Sequence, residues 1–97
     1  MGQITLDAYT IDVLLPDLVG HDRRPAAFLV YLYLLRHARL RNGRRELRHS
    51  LQTIATRTGL SKSSVQTALR HLRRRGLLDP DVVATSSDPV RSVRPPR

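Results

Sequence analysis

The 97-residue chain contains no cysteine. That absence removes disulfides, thiolate nucleophiles and every cysteine-based zinc site together. Lysine is nearly missing too: Lys62 is the single one, and arginine supplies the rest of the 17 basic side chains. No apolar run approaches the ~20 residues that a bilayer-crossing helix needs. The longest, residues 26–35, lies between Arg24 and Arg36. The opening residues, Met1-Gly2-Gln3-Ile4-Thr5, lack the basic stretch that begins a secretory signal, so a cytoplasmic protein with no membrane partner is expected. Catalytic signatures are missing as well. His21, His37, His49 and His71 are scattered, with no metal-ligand spacing, and there is neither a glycine-rich phosphate loop nor a nucleophile elbow. The nearest thing to an acidic cluster is Asp12, Asp17, His21 and Asp22. It reads as helix caps and arginine partners rather than a metal site. No catalysis, cofactor or metal is expected.

What the chain does have is basic charge, and that charge is polarised. The formal net charge is +9. Residues 1–40 balance Arg23, Arg24, Arg36 and Arg39 with Asp7, Asp12, Asp17 and Asp22, whereas residues 41–97 set thirteen basic residues against Glu46, Asp79, Asp81 and Asp88. An arginine-rich genome explains arginine in place of lysine, but not a shortage of acids in one half. The second half therefore carries the footprint of a polyanion-binding surface. The length suits one domain with a small core, which a second subunit would help to stabilise.

Residues 1–24 read as an arm plus a short helix. Thr10 is placed to cap that helix, Asp12 lies in its first turn, Val13, Leu14, Leu15 and Leu18 are its apolar residues, and Pro16 interrupts it. After a polar connector, Pro25 suits the first turn of a helix over residues 25–40. Phe28, Leu32 and Leu35 mark one face of that helix, Ala27, Val30 and Leu34 a second, Leu29 and Tyr33 a third. A helix apolar on all sides must be covered on most of them. Two covers are open: a homodimer formed by this helix and the N-terminal segment across a twofold axis, or the N-terminal segment alone within a monomer. Tyr31 and Tyr33 read as core or interface residues.

Residues 39–45 read as a basic loop turning at Asn42-Gly43, followed by a short strand at Glu46-Leu47-Arg48. Ser50 is an N-cap for a helix over residues 51–58, closed by a left-handed Gly59. Ser61 caps a further helix that runs to Arg75 and stops at Gly76. Its Val65, Ala68, Leu69 and Leu72 form one stripe, while Lys62, Ser63, Gln66, Thr67, Arg70, Arg73 and Arg74 lie opposite. Residues 82–85 and 90–94 read as strands of a small β-hairpin turning over residues 86–89, and residues 95–97 as a frayed tail.

The stretch from Ser50 to Leu78 is the informative one. Ala55 lets two helices approach closely, Ile54, Leu60, Val65 and Leu69 fill the wedge between them, and Gly59 supplies the corner. Ser61 satisfies N–H groups at the next helix start, whose positive end then suits phosphate. The pattern Ile-Ala-x3-Gly-Leu-Ser-x3-Val-x2-Ala-Leu-x2-Leu-x3-Gly-Leu-Leu resembles the winged helix-turn-helix superfamily. Within it, the pattern is similar to bacterial transcription regulators of the MarR and GntR types and to related replication-initiator domains.

The resemblance covers residues 25–94. It implies a mainly α winged helix-turn-helix fold, a three-helix core with a small β-hairpin wing. The N-terminal helical segment, residues 1–24, is extra to that fold and is assigned to dimerisation on the apolarity of the helix it adjoins. It also implies that the helix after Ser61 enters the major groove of double-stranded DNA. Carried over by position, Lys62, Ser63, Gln66, Thr67 and Arg70 face bases or nearby phosphates, and Ser50, Gln52 and Thr53 touch the backbone. Within Arg73-Arg74-Arg75, Arg74 is taken as a phosphate contact, although such a run also suits a helix C-terminus. Arg44, Arg45, Arg91 and Arg94 are secondary candidates. The turn at residues 86–89 departs from the family in lacking a basic or glycine-rich tip, so no wing contact is implied.

The expected function is sequence-specific binding of duplex DNA by a dimeric regulator of transcription at the nucleoid. A replication or partition accessory protein of a mobile element shares every one of these features. An adaptor that binds protein instead is disfavoured by Lys62, Arg70, Arg73, Arg74 and Arg75, which meet no acid on their own helix. RNA binding is disfavoured by the lack of an aromatic stacking surface.

Overall fold

A computed structural model describes residues 2–41, 43–79 and 91–94. Pro25 opens the first helix, α1 (Pro25–His37), where its missing N–H costs nothing. The helix stops at His37, short of Leu40, because Ala38 turns to an extended conformation and the chain enters a strand. Strand β1 (Arg39–Arg41) pairs antiparallel with β2 (Arg44–Leu47), in a register that sets Arg39 opposite Glu46. The basic stretch expected as a loop is therefore a hairpin, and Gly43 turns it at a φ of 77°.

The second helix, α2 (Leu51–Thr58), and the third, α3 (Lys62–Arg74), follow on either side of Gly59. After α3, strand β3 (Arg91–Val93) pairs with the other edge of β2, giving the order β1-β2-β3. The segment leaving α3 runs alongside β3: Asp79 N donates to Ser92 O at 2.8 Å and Arg94 N to Leu77 O at 3.0 Å. The stem of the expected wing is thus in place. The strand expected over residues 82–85, the turn over 86–89 and the tail 95–97 lie outside the described residues.

The N-terminal segment differs in detail from its expectation. The helix expected to be capped by Thr10 and interrupted at Pro16 instead begins at residue 8 and runs without a break to residue 21, through two wide i→i+5 turns, Thr10–Leu14 and Asp17–His21. Thr10 is buried inside the first rather than capping it, and Asp7 takes the capping part, its Oδ1 accepting the Tyr9 N–H at 2.8 Å. The segment lays Leu14 and Leu18 into the core.

One apolar core joins all of these elements. It contains Phe28, Val30, Tyr31 and Leu34 of α1, Ile54 of α2, Val65, Leu69 and Leu72 of α3, Leu47 and Val93 from the sheet, and Leu78, bridged to Val93. α1 is packed by the second N-terminal turn as well as by α2 and α3, so much of its apolar surface is covered within one chain. Leu29 stays 49% exposed. Tyr31 is fully buried, and its hydroxyl donates to the Arg94 carbonyl at 2.8 Å, tying α1 to the end of β3. Among the described residues no helix is long and apolar enough to cross a membrane.

Candidate nucleic-acid interface

The interface begins at two serines and a glycine. Ser50 Oγ accepts the Thr53 N–H at 3.1 Å, and Ser61 Oγ accepts the Ser64 N–H at 3.1 Å. Each satisfies a donor that a helix start would otherwise leave orphaned. Between them Gly59 stands at a φ of 79°, and its N–H closes α2 on the Ala55 carbonyl at 2.9 Å. A side chain with a Cβ would strain that corner.

Burial then fixes the rotation of α3. Val65, Ala68, Leu69 and Leu72 are all buried. The opposite face must point outward, and Lys62, Ser63, Gln66, Arg70 and Arg74 are exposed, with Thr67 half-buried. Residues 62, 66, 70 and 74 fall at i+4 intervals, so they form one row of roughly 18 Å along the helix. Arg70 Nη2 donates to Thr67 Oγ1 at 3.3 Å, which steadies the guanidinium along that row. No acid interrupts α3.

The flank contributed by α2 is quieter. Ser50 Oγ and Thr53 Oγ1 lie 3.0 Å apart within the cap, both half-buried, while Gln52 is exposed and donates to Thr56 Oγ1 at 3.1 Å. The exposed Ser61 hydroxyl is shared with Ser63 and Ser64 at the start of α3. All ten predicted site residues thus lie on α2, on α3 or at their caps.

Several cations are already engaged inside the fold. Arg75 forms ion pairs with Asp17 and, from Nε at 3.1 Å, with Asp22. His71 Nε2 meets the same carboxylate oxygen as Arg75 Nε, 2.7 Å from Asp22 Oδ2. Arg75 meets no acid on its own helix, as expected, but the N-terminal segment supplies it with two. Arg91 is 5% exposed and donates to the His49 carbonyl at 2.6 Å, which removes it as a phosphate contact. Arg94 is ion-paired with Asp79. Arg44 and Arg45 are exposed on β2.

Asp17, His21 and Asp22 bring ligand atoms within 4.8 Å of one another. Both carboxylates already hold Arg75, as expected of arginine partners. The hydrogen bonds from His21 and His71 hold the Asp22 carboxyl below its ordinary value, against the opposing effect of burial.

One cluster is absent from the expectations drawn on sequence. Tyr33, His37 and His49 bring three rings together just before the Ser50 cap, with the Tyr33 hydroxyl 2.6 Å from His49 Nδ1. The available signal was the i,i+4 spacing of Tyr33 and His37; His49 arrives only through the hairpin. Burial lowers both imidazoles, reinforced at His37 by Arg36 and at His49 by Arg57. Burial also raises the Tyr33 phenol, and pushes that of Tyr31 up to about 12.

Two helices crossing at a glycine corner, an outward polar row on the second and a three-stranded sheet beside them define a winged helix-turn-helix protein of the DNA-binding class. The chain belongs to the helix-turn-helix domain family, whose model matches residues 24–78, more than half of its length. That stretch includes α1, the first hairpin, α2, the glycine corner and α3. No curated protein and no solved structure matches the chain.

Proposed function

We propose that this protein binds specific sequences in double-stranded DNA and regulates transcription as a homodimer. The observation that carries the reading is the row Lys62, Gln66, Arg70 and Arg74, exposed on a helix without acids. The nearby carboxylates Asp17 and Asp22 are drawn away to Arg75. In this reading α3 lies in the major groove, which at about 12 Å width admits one helix. Arg70 suits the O6 and N7 acceptors of guanine and Gln66 the N6 and N7 pair of adenine. Lys62, Ser63 and Thr67 reach neighbouring edges or phosphates, Arg74 a phosphate, and the helix start at Ser61 a further phosphate. Ser50, Gln52 and Thr53 face the adjacent backbone.

The dimer is supported by Ile4, Ile11, Val13 and Val19 of the N-terminal segment and Leu29 of α1, all exposed large apolar side chains. Residues 1–24 are then the pairing segment and residues 25–94 the DNA-binding unit. Two copies would place two recognition helices on half-sites one helical turn apart, about 34 Å. Selection of bound sequences from a random duplex pool tests both parts. A two-part, inverted-repeat site is expected. Recovery of no preferred sequence would remove sequence-specific regulation, and a monomeric mass at micromolar concentration would remove the dimer.

A further inference from the structure

Arg23 and Arg24 link the N-terminal segment to α1, and their placement is unusual. Arg23 is the one non-glycine residue with a positive φ among the described residues, at 56°. Such a backbone strains any residue with a Cβ, and glycine or asparagine ordinarily occupies it. The kink is pinned where Arg24 N donates to the Leu18 carbonyl at 2.8 Å. Both guanidinium-bearing residues are exposed, and neither has an ion pair among the described residues. The closest acids in sequence, Asp17 and Asp22, are engaged by Arg75, His21 and His71.

This strained corner borders α3. An open groove of about 260 Å³ runs between Arg23 and Arg24 on one wall and Ser63, Ser64 and Thr67 on the other. Two positive charges thus face hydroxyls across a shallow trough that continues the outward face of α3. An open trough of this kind accepts an extended anionic chain better than a small enclosed ligand. Strain retained at an exposed residue points to a use for its side chain.

We propose that Arg23 and Arg24 form a second DNA contact, gripping the phosphodiester backbone of the strand that passes beside the start of α3. The proposal rests on the DNA-binding reading above and extends it to residues outside the helix-turn-helix unit. These two arginines position the duplex against α3; as phosphate contacts they carry no sequence information.

The test uses the full-length protein and a fluorescently labelled mixed-sequence duplex, titrated over a series of salt concentrations. Arg23→Gly suits the backbone conformation, relieves its strain and removes the whole side chain with its guanidinium. It is expected to melt at a higher temperature than the wild type and yet bind DNA more weakly. The slope of log K against log salt becomes shallower by about 0.9 for each phosphate that a bound subunit no longer neutralises. A fourfold rise in salt then weakens the variant about 3.5-fold less than the wild type for each such phosphate. Arg24→Ala, at an ordinary backbone conformation, shows the same change in slope. Arg23→Lys keeps the slope. Neither neutral variant alters the preferred base sequence, whereas loosening of the fold would lower affinity without a step in the slope. If the wild type binds and the double variant Arg23→Gly, Arg24→Ala retains the wild-type slope, this inference is overturned and the function stands. If the wild type ignores duplexes, both fall.

Discussion

Ser61 does two things with one oxygen. It satisfies the Ser64 N–H and holds the first turn of α3 outward, where unpaired backbone donors and the positive helix end remain available to an anion. Ser61→Ala should therefore lower stability by about 1 kcal/mol, read from the denaturant midpoint at unchanged m-value. Gln66 and Arg70 carry a different expectation, since neither supports the core. Replacing either by alanine should leave stability within about 0.5 kcal/mol and reduce discrimination between bases by about 1–3 kcal/mol. Competition titrations with single-base variants of the selected site measure this. An equal loss for all sequences would make these side chains phosphate contacts instead.

The histidine pair sets a pH dependence at the same scale. Both His37 and His49 lie below their ordinary value of 6.5 in the folded chain, chiefly through burial. The unfolded chain therefore binds their protons first on acidification. Their contribution to stability is full above about pH 6.5 and is lost as pH falls through the folded values. Between pH 7 and pH 5 the wild type should lose more stability than a His37→Gln, His49→Gln variant. Equal losses in urea titrations at the two pH values would contradict the burial argument.

At the scale of the element, α3 and the corner before it were legible because they depend on local chemistry. A serine cap, a four-residue apolar stripe and a terminal glycine each act within a turn or two of chain. The strands were less so. A three-residue β1 offers too few alternations to separate from a loop, and Arg39–Arg41 gains its identity only by pairing with β2. The partner of Arg75 lies 58 residues away in sequence, so no periodicity announces that α3 is clasped at its C-terminal end by the N-terminal segment. The same holds for Arg91, whose charge suggests an exterior position while its guanidinium donates to a main-chain oxygen inside.

The clasp itself is testable. Asp22, with a side chain only 8% exposed, receives His71 and Arg75 from α3. Asp22→Asn removes the charge that both partners meet and should cost about 1–3 kcal/mol, read by chemical denaturation. It should also speed hydrogen exchange in residues 10–21 more than in α2. Uniform acceleration would mean that the segment is not held separately by this contact.

For the whole molecule, the polarity of charge seen in the sequence has a structural counterpart. Two of the four acids of the first half, Asp17 and Asp22, are turned toward the end of α3, where they pair with Arg75, and the outer row of that helix is left positive. The all-round apolarity of α1 is likewise explained in large part within one chain, because Leu14 and Leu18 come to lie in the core that α1 shares. What the sequence could not separate was cover by this segment from cover by a second subunit, since both bury the same kind of surface.

The outward polar row of α3 is the feature on which the proposed function turns, and a salt titration of wild-type protein on a duplex examines it directly. The logarithm of the affinity should fall linearly with log salt, with a slope of about −0.9 for every phosphate contact, and hence by at least about tenfold between 50 and 200 mM salt for two or more contacts. An affinity indifferent to salt, or no complex in dilute buffer, would contradict it.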